Sequence, residues 1–172
     1  MSRAFVKESD DDAAAGDVPE RPVPAHANYV TARGLAQLHA RERELVARHE
    51  HLKSVAEEDS AAKQKLREVA RDLRYVRAQL ERAELVPVAA GPAKEMRDVH
   101  FGAEVVIEDE SGARHRYRIV GDDEADAAAG DISWASPLAR ALIGARVGDV
   151  VIWRRPAGAV EIEVIGIHYD CA

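Results

Sequence analysis

Glu57, Glu58 and Asp59 are consecutive acids within SVAEEDSAAK, residues 54–63, between two long heptad-patterned stretches. Three adjacent carboxylates offer a hard-cation site, because magnesium binds oxygen ligands at about 2.0–2.1 Å. They equally suit a turn in which Asp59 or Ser60 caps the following helix and the acids sit against its positive end. Just beyond lie Arg67, Arg71 and Arg74 at i, i+4 and i+7, with Lys63 near the same face. Such a stripe can meet phosphates, or serve as a solvated coiled-coil flank paired with Glu68, Asp72 and Glu81. No cysteine or histidine spacing resembles a zinc site, and phosphate-loop and nucleophile-elbow motifs are missing.

The elements that must position these residues follow from periodicity. Thr31 reads as a helix N-cap, with Leu35 and Leu38 following and leucines repeating at Leu38, Leu45 and Leu52. Leu66, Val69, Leu73, Val76 and Leu80 alternate spacings of three and four, an a/d seam. With only a few residues between them, the two segments predict an antiparallel helical hairpin over 30–86. Pro87 and Pro92 end it and mark a linker over 87–97. Residues 1–29, acidic and proline-containing, read as a flexible leader.

Beyond residue 98 the period shortens to two. Val105, Ile107, Tyr117 and Ile119 predict two strands around a Ser111-Gly112 turn. Ser136 and Pro137 open a short helix, and two further strands turn at Pro156-Ala157-Gly158. The acids Asp122, Asp123, Glu124 and Asp126 read as a solvated loop, or as charge that steers a basic partner. The fold class is α+β: an N-terminal coiled-coil hairpin, then a small antiparallel β domain with one short helix over 98–172.

Composition narrows the function. Net charge is −7, from 24 basic and 31 acidic residues in 172, which excludes a strongly basic nucleic-acid binder. The acids concentrate late: residues 31–85 hold 12 bases and 10 acids, residues 97–172 hold 8 and 14. The one cysteine, Cys171, cannot form an internal disulfide. No apolar run approaches the ~18 residues of a membrane span, and the start lacks a signal-peptide stretch. A cytoplasmic protein is expected.

FGAEVVIEDESGARHRYRIVGDDEAD and GDISWASPLARALIGARVGDVVIWRRPAGAVEIEVIGIHY, with QKLREVARDLRYV and NYVTARGL, resemble the Gre family (GreA/GreB type) of transcription elongation factors. The resemblance runs from about residue 28 to 169. It implies an FKBP-like C-terminal domain that docks on a coiled coil of the largest RNA polymerase subunit, at the rim of the secondary channel. It also implies that the finger enters the channel, where acids at its tip help hold a magnesium ion shared with the polymerase. The chain would then have no cofactor of its own and would not itself be an enzyme. The resemblance carries polymerase contact to Ser136 and Pro137, with Ala135 where the family often has an acid; Trp134, a large aromatic in the same loop, reads as an interface anchor or as a core residue. It places the Lys63, Arg67, Arg71 and Arg74 face near the transcript.

The tip departs from the family. The pattern G-D-x-x-E-N-A-E/D-Y is absent, and the hairpin is shorter by roughly a dozen residues, about 10 Å of reach. An ungapped comparison puts Leu52 and Val55 where the acids belong, leaving Glu57, Glu58 and Asp59 as substitutes. Two functions follow. One is a regulator that modulates rescue of backtracked complexes and transcript cleavage. The other is a short-fingered competitor, like the regulator of nucleoside diphosphate kinase, that holds the rim without stimulating cleavage. Prolyl isomerase activity is suggested by fold analogy alone.

Overall fold

A computed structural model describes residues 18–56, 59–87 and 97–169. Helix α1 spans Ala32–Val55 and α2 spans Ser60–Glu81. At 24 and 22 residues, each arm reaches about 35 Å. Thr31 caps α1, its Oγ1 accepting from the Gly34 N–H at 3.0 Å. The leucine repeat becomes the seam: Leu38, Leu45 and Leu52 of α1 are buried with Val69, Leu73 and Val76 of α2. Ala56 and Ala62 close this core near the tip, where small side chains let the helices approach. Half-buried Glu42 of α1 reaches across to α2 and pairs with Arg77 at 3.1 Å.

The base of the hairpin is knitted by a strand pair that periodicity does not reveal. Strand β1, Asn28–Val30, pairs in parallel with β2, Ala83–Leu85. Asn28 is buried, and its side-chain amide donates to the Gln79 carbonyl at 2.8 Å. The leader boundary at residue 29 therefore shifts. Residues 18–29 run along the hairpin base, where Glu20 pairs with Arg74 and Arg21 stacks over the Tyr75 ring. The Arg82 guanidinium also donates to the His26 carbonyl at 2.6 Å. Polar composition hid these contacts because they are made by stems, rings and backbone rather than by an apolar run. Most of the 87–97 linker lies outside the described residues.

The C-terminal domain holds β3 (Glu104–Asp109), β4 (Arg114–Val120), β5 (Asp131–Ser133), α3 (Pro137–Leu142), β6 (Val150–Arg155) and β7 (Gly158–His168). Five strands form one sheet in the order β5-β4-β3-β7-β6. The two expected hairpins are present, β3 with β4 and β6 with β7, and β3 joins β7 antiparallel. Gly112 supplies the positive φ of the first turn, +80°. The sheet departs from the expected antiparallel arrangement at one edge, where β5 pairs with β4 in parallel. Three residues are too few for an alternating pattern to reveal. Val105, Ile107, Ile119, Ile162 and Val164 face the core, and α3 covers them with Leu138, Ala139 and Leu142. No helix among the described residues is long and apolar enough to cross a membrane.

Candidate functional site

At the finger tip, α1 ends at Ala56, whose N–H donates to the Leu52 carbonyl at 2.9 Å. Asp59 then caps α2: its Oδ1 accepts from the Ala61 N–H at 2.8 Å. Glu57 and Glu58 lie outside the described residues. Asp59 is exposed, and its Oδ2 takes no part in that bond. Among the described residues no group of three or more acids, histidines or cysteines could hold a metal ion.

The basic face is largely occupied. Arg71 binds the neighbouring Asp72 through Nε and Nη2, at 3.0 and 2.7 Å. Arg67 donates to Gln64 at 2.6 Å, and Arg74 pairs with Glu20 of the leader. Lys63 is exposed nearest the tip. Of the expected acidic partners, Asp72 engages the stripe, whereas Glu68 accepts from Gln64 at 3.3 Å.

In the domain, Ser136 caps α3 as its sequence predicts, accepting from the Ala139 N–H at 3.2 Å, with Pro137 at the first helical position. Pro137 is exposed and Ser136 half-buried. Trp134 is half-buried rather than a free-standing anchor. Its ring lies 4.8 Å from Tyr29 and 5.3 Å from His26, centroid to centroid. An aromatic cluster therefore joins this loop to the hairpin base.

The strongest coupling between hairpin and domain comes from the acids that the sequence suggests are solvated. Asp122, Asp123 and Glu124 form a 3-10 turn after β4, and each carboxylate grips a different element. Asp122 bonds His26 at 2.5 Å and accepts from the Ser133 hydroxyl. Asp123 accepts from the Tyr75 hydroxyl at 3.0 Å and the Gln79 amide at 2.7 Å, both on α2. Glu124 is buried and accepts from the Thr31 N–H at 2.9 Å and the Thr31 hydroxyl at 2.5 Å. It thus neutralises orphan donors at the start of α1. Arg33 reinforces this corner with Asp131 at 2.7 Å.

Gly34 and Gly121 are shaped to this clasp. A Cβ on Gly34 would lie 2.1 Å from the Glu124 carboxyl carbon, and one on Gly121 would lie 2.5 Å from the Tyr29 carbonyl. A glycine inside a helix is otherwise unfavourable by about 1 kcal/mol against alanine. Gly34 was the one local signal for the clasp.

Burial, then the Asp123 charge and hydrogen bond, push the Tyr75 hydroxyl up to about 12. The neutral phenol is the form that donates. Its contribution to stability is therefore complete below the ordinary tyrosine value near 10 and is lost as pH rises toward 12. Melting curves of the parent and Tyr75→Phe should differ most below pH 9. The parent's advantage should vanish between pH 10 and 12; a constant difference across that range would contradict this.

The chain matches the family described as transcription elongation factor GreA/GreB, C-terminal, over residues 94–169. It is 38% identical to transcription elongation factor GreB of Pseudomonas aeruginosa over 164 residues, covering 88% of this chain and 96% of that one. It is 41% identical over 107 residues to the GreB of Neisseria meningitidis serogroup B, spanning 62% of this chain but only 64% of that relative. The crystal structure of GreA factor homolog 1 of Thermus thermophilus is 30% identical, with coverage of 83% and 99% and a TM-score of 0.38. Near-complete coverage of the Pseudomonas protein extends the relationship through the hairpin as well as the domain, and the chain belongs to the GreA/GreB family of transcription elongation factors.

Proposed function

We propose that this chain regulates transcription elongation by docking its β domain on the rim of the RNA polymerase secondary channel and inserting the hairpin. It acts where transcription occurs, in the bacterial cytoplasm, and is a regulator of the polymerase rather than an enzyme itself. The clasp carries this reading. Because Asp122, Asp123 and Glu124 bind residues of the leader, α2 and the start of α1, docking of the domain dictates where the finger points. Ser136 and Pro137, with Trp134 behind them, form the docking face. Lys63, Arg67, Arg71 and Arg74 face the transcript, with their ion pairs opening as phosphates approach.

At the tip, two outcomes compete. In the first, Glu57, Glu58 and the free oxygen of Asp59 help hold a magnesium ion shared with the polymerase, and the chain promotes cleavage of backtracked RNA. In the second, the chain occupies the channel and excludes true cleavage factors. The engagement of Asp59 as a helix cap favours the second, as does the short finger.

Backtracked elongation complexes distinguish them. Cleavage by the chain alone, abolished in a Glu57→Ala/Glu58→Ala/Asp59→Ala variant, would establish the first. Inhibition of an added cleavage factor, unaffected by those substitutions, is the expected result and establishes the second. No effect on cleavage in either format would sink both.

A further inference from the structure

Four large apolar side chains are exposed within ten residues of one another: Ile143 at 40%, Val147 at 59%, Val150 at 59% and Ile152 at 55%. Val150 and Ile152 lie on β6, which ends the five-stranded sheet. They share the outer face with Arg154, while Val151 and Trp153 pack against the core. The β6–β7 hairpin closes at Arg155 and Gly158 across a two-residue loop, Pro156-Ala157. In such a hairpin the closing residues exchange both backbone bonds, and bonding then alternates along the strand. At the far end the Val164 N–H donates to the Asp149 carbonyl at 2.9 Å, in the same phase. The backbone N–H and C=O groups of Val150, Ile152 and Arg154 therefore point away from the sheet.

Exposed edges are usually guarded by proline, lysine or a bulge. None of these interrupts Val150–Arg155 itself: one irregularity lies between β3 and β7, and a second, where Gly148 (φ +93°) and Asp149 both oppose Val164, sits just before the strand. The strand is instead charged with opposite signs at its ends, Asp149 before it and Arg154 and Arg155 at its close, all exposed.

We propose that β6 is a docking edge for a second copy of this chain, which adds its own β6 antiparallel to form a continuous ten-stranded sheet. The register places Ile152 opposite Ile152 of the second copy. Val150 then faces Arg154, and Asp149 faces Arg155, each pair occurring twice about the two-fold axis. Arg154 of the second copy extends over Val150 toward Glu163, which is Val150's partner on β7. This self-complementarity selects a second copy over an unrelated extended segment, for which matched charges at both ends of the strand have no role.

Sedimentation equilibrium of the full chain over a range of concentrations tests this. A monomer–dimer equilibrium is expected. Opposite cross-strand charges contribute roughly 0.2–1 kcal/mol per pair and like charges cost as much, so Arg155→Asp or Asp149→Arg should each weaken the dimer about tenfold. The double swap, Asp149→Arg with Arg155→Asp, should restore it. Ile152→Lys should give monomer at every concentration, with the melting temperature the parent shows when diluted to monomer. If the Asp149 substitution unfolds its turn, Arg155→Asp and Ile152→Lys remain as independent tests. A chain that stays monomeric at every concentration overturns the proposal. So does a dimer indifferent to Ile152→Lys or to the charge swap.

Discussion

Gly34→Ala should destabilise the protein by about 2 kcal/mol, yet in a Glu124→Ala background the same change should stabilise it by up to about 1 kcal/mol. In the parent, the new methyl would occupy the place of the Glu124 carboxyl group, which bonds to Thr31 hold in position. Relieving the overlap means breaking those bonds. Once the carboxylate is gone, only the helix preference for alanine remains, and the sign reverses. Glu124→Ala alone should cost about 3 kcal/mol, because the Thr31 N–H and its hydroxyl lose their acceptor in a buried corner. Denaturant midpoints of the four proteins form a double-mutant cycle whose interaction energy should be near 3 kcal/mol. Additive effects would show that the clasp does not couple finger to domain.

Leu45→Ala is the second large effect. Leu45 is 1% exposed, midway along the seam and in the same buried cluster as Val69 and Leu73. The hairpin is only two helices thick, so neighbouring side chains cannot easily collapse into the space. A loss of about 3 kcal/mol is expected, and it should fall on the finger. Hydrogen exchange should quicken across α1 and α2 while the amides of β3 and β7 keep their protection. Equal loosening of both halves would mean that they unfold as one unit.

The legible parts of this molecule were those whose causes are local. The heptad leucines, the Thr31 and Ser136 caps, Pro137 and the Ser111-Gly112 turn each act within a few residues, and all appear where periodicity and capping place them. The clasp could not be read in the same way. Thr31 and Glu124 are separated by 93 positions, and three consecutive acids after a strand look like a solvated turn until their distant donors are known. The leader misled for a related reason: it carries no apolar run, but Asn28 buries an amide and Arg21 covers a ring. β5 was too short to show a pattern. At the tip, the alternatives left by the sequence narrow only for Asp59, which is a helix cap.

Displacement of a labelled GreB-type factor from core RNA polymerase tests the central claim most directly. This chain should compete for the same site, and Pro137→Ala should weaken competition about tenfold, the loss of an interface anchor worth roughly 1–2 kcal/mol. Glu57→Ala/Glu58→Ala/Asp59→Ala should leave it unchanged. Binding to polymerase without displacing the labelled factor, or no binding at all, would contradict a secondary-channel regulator.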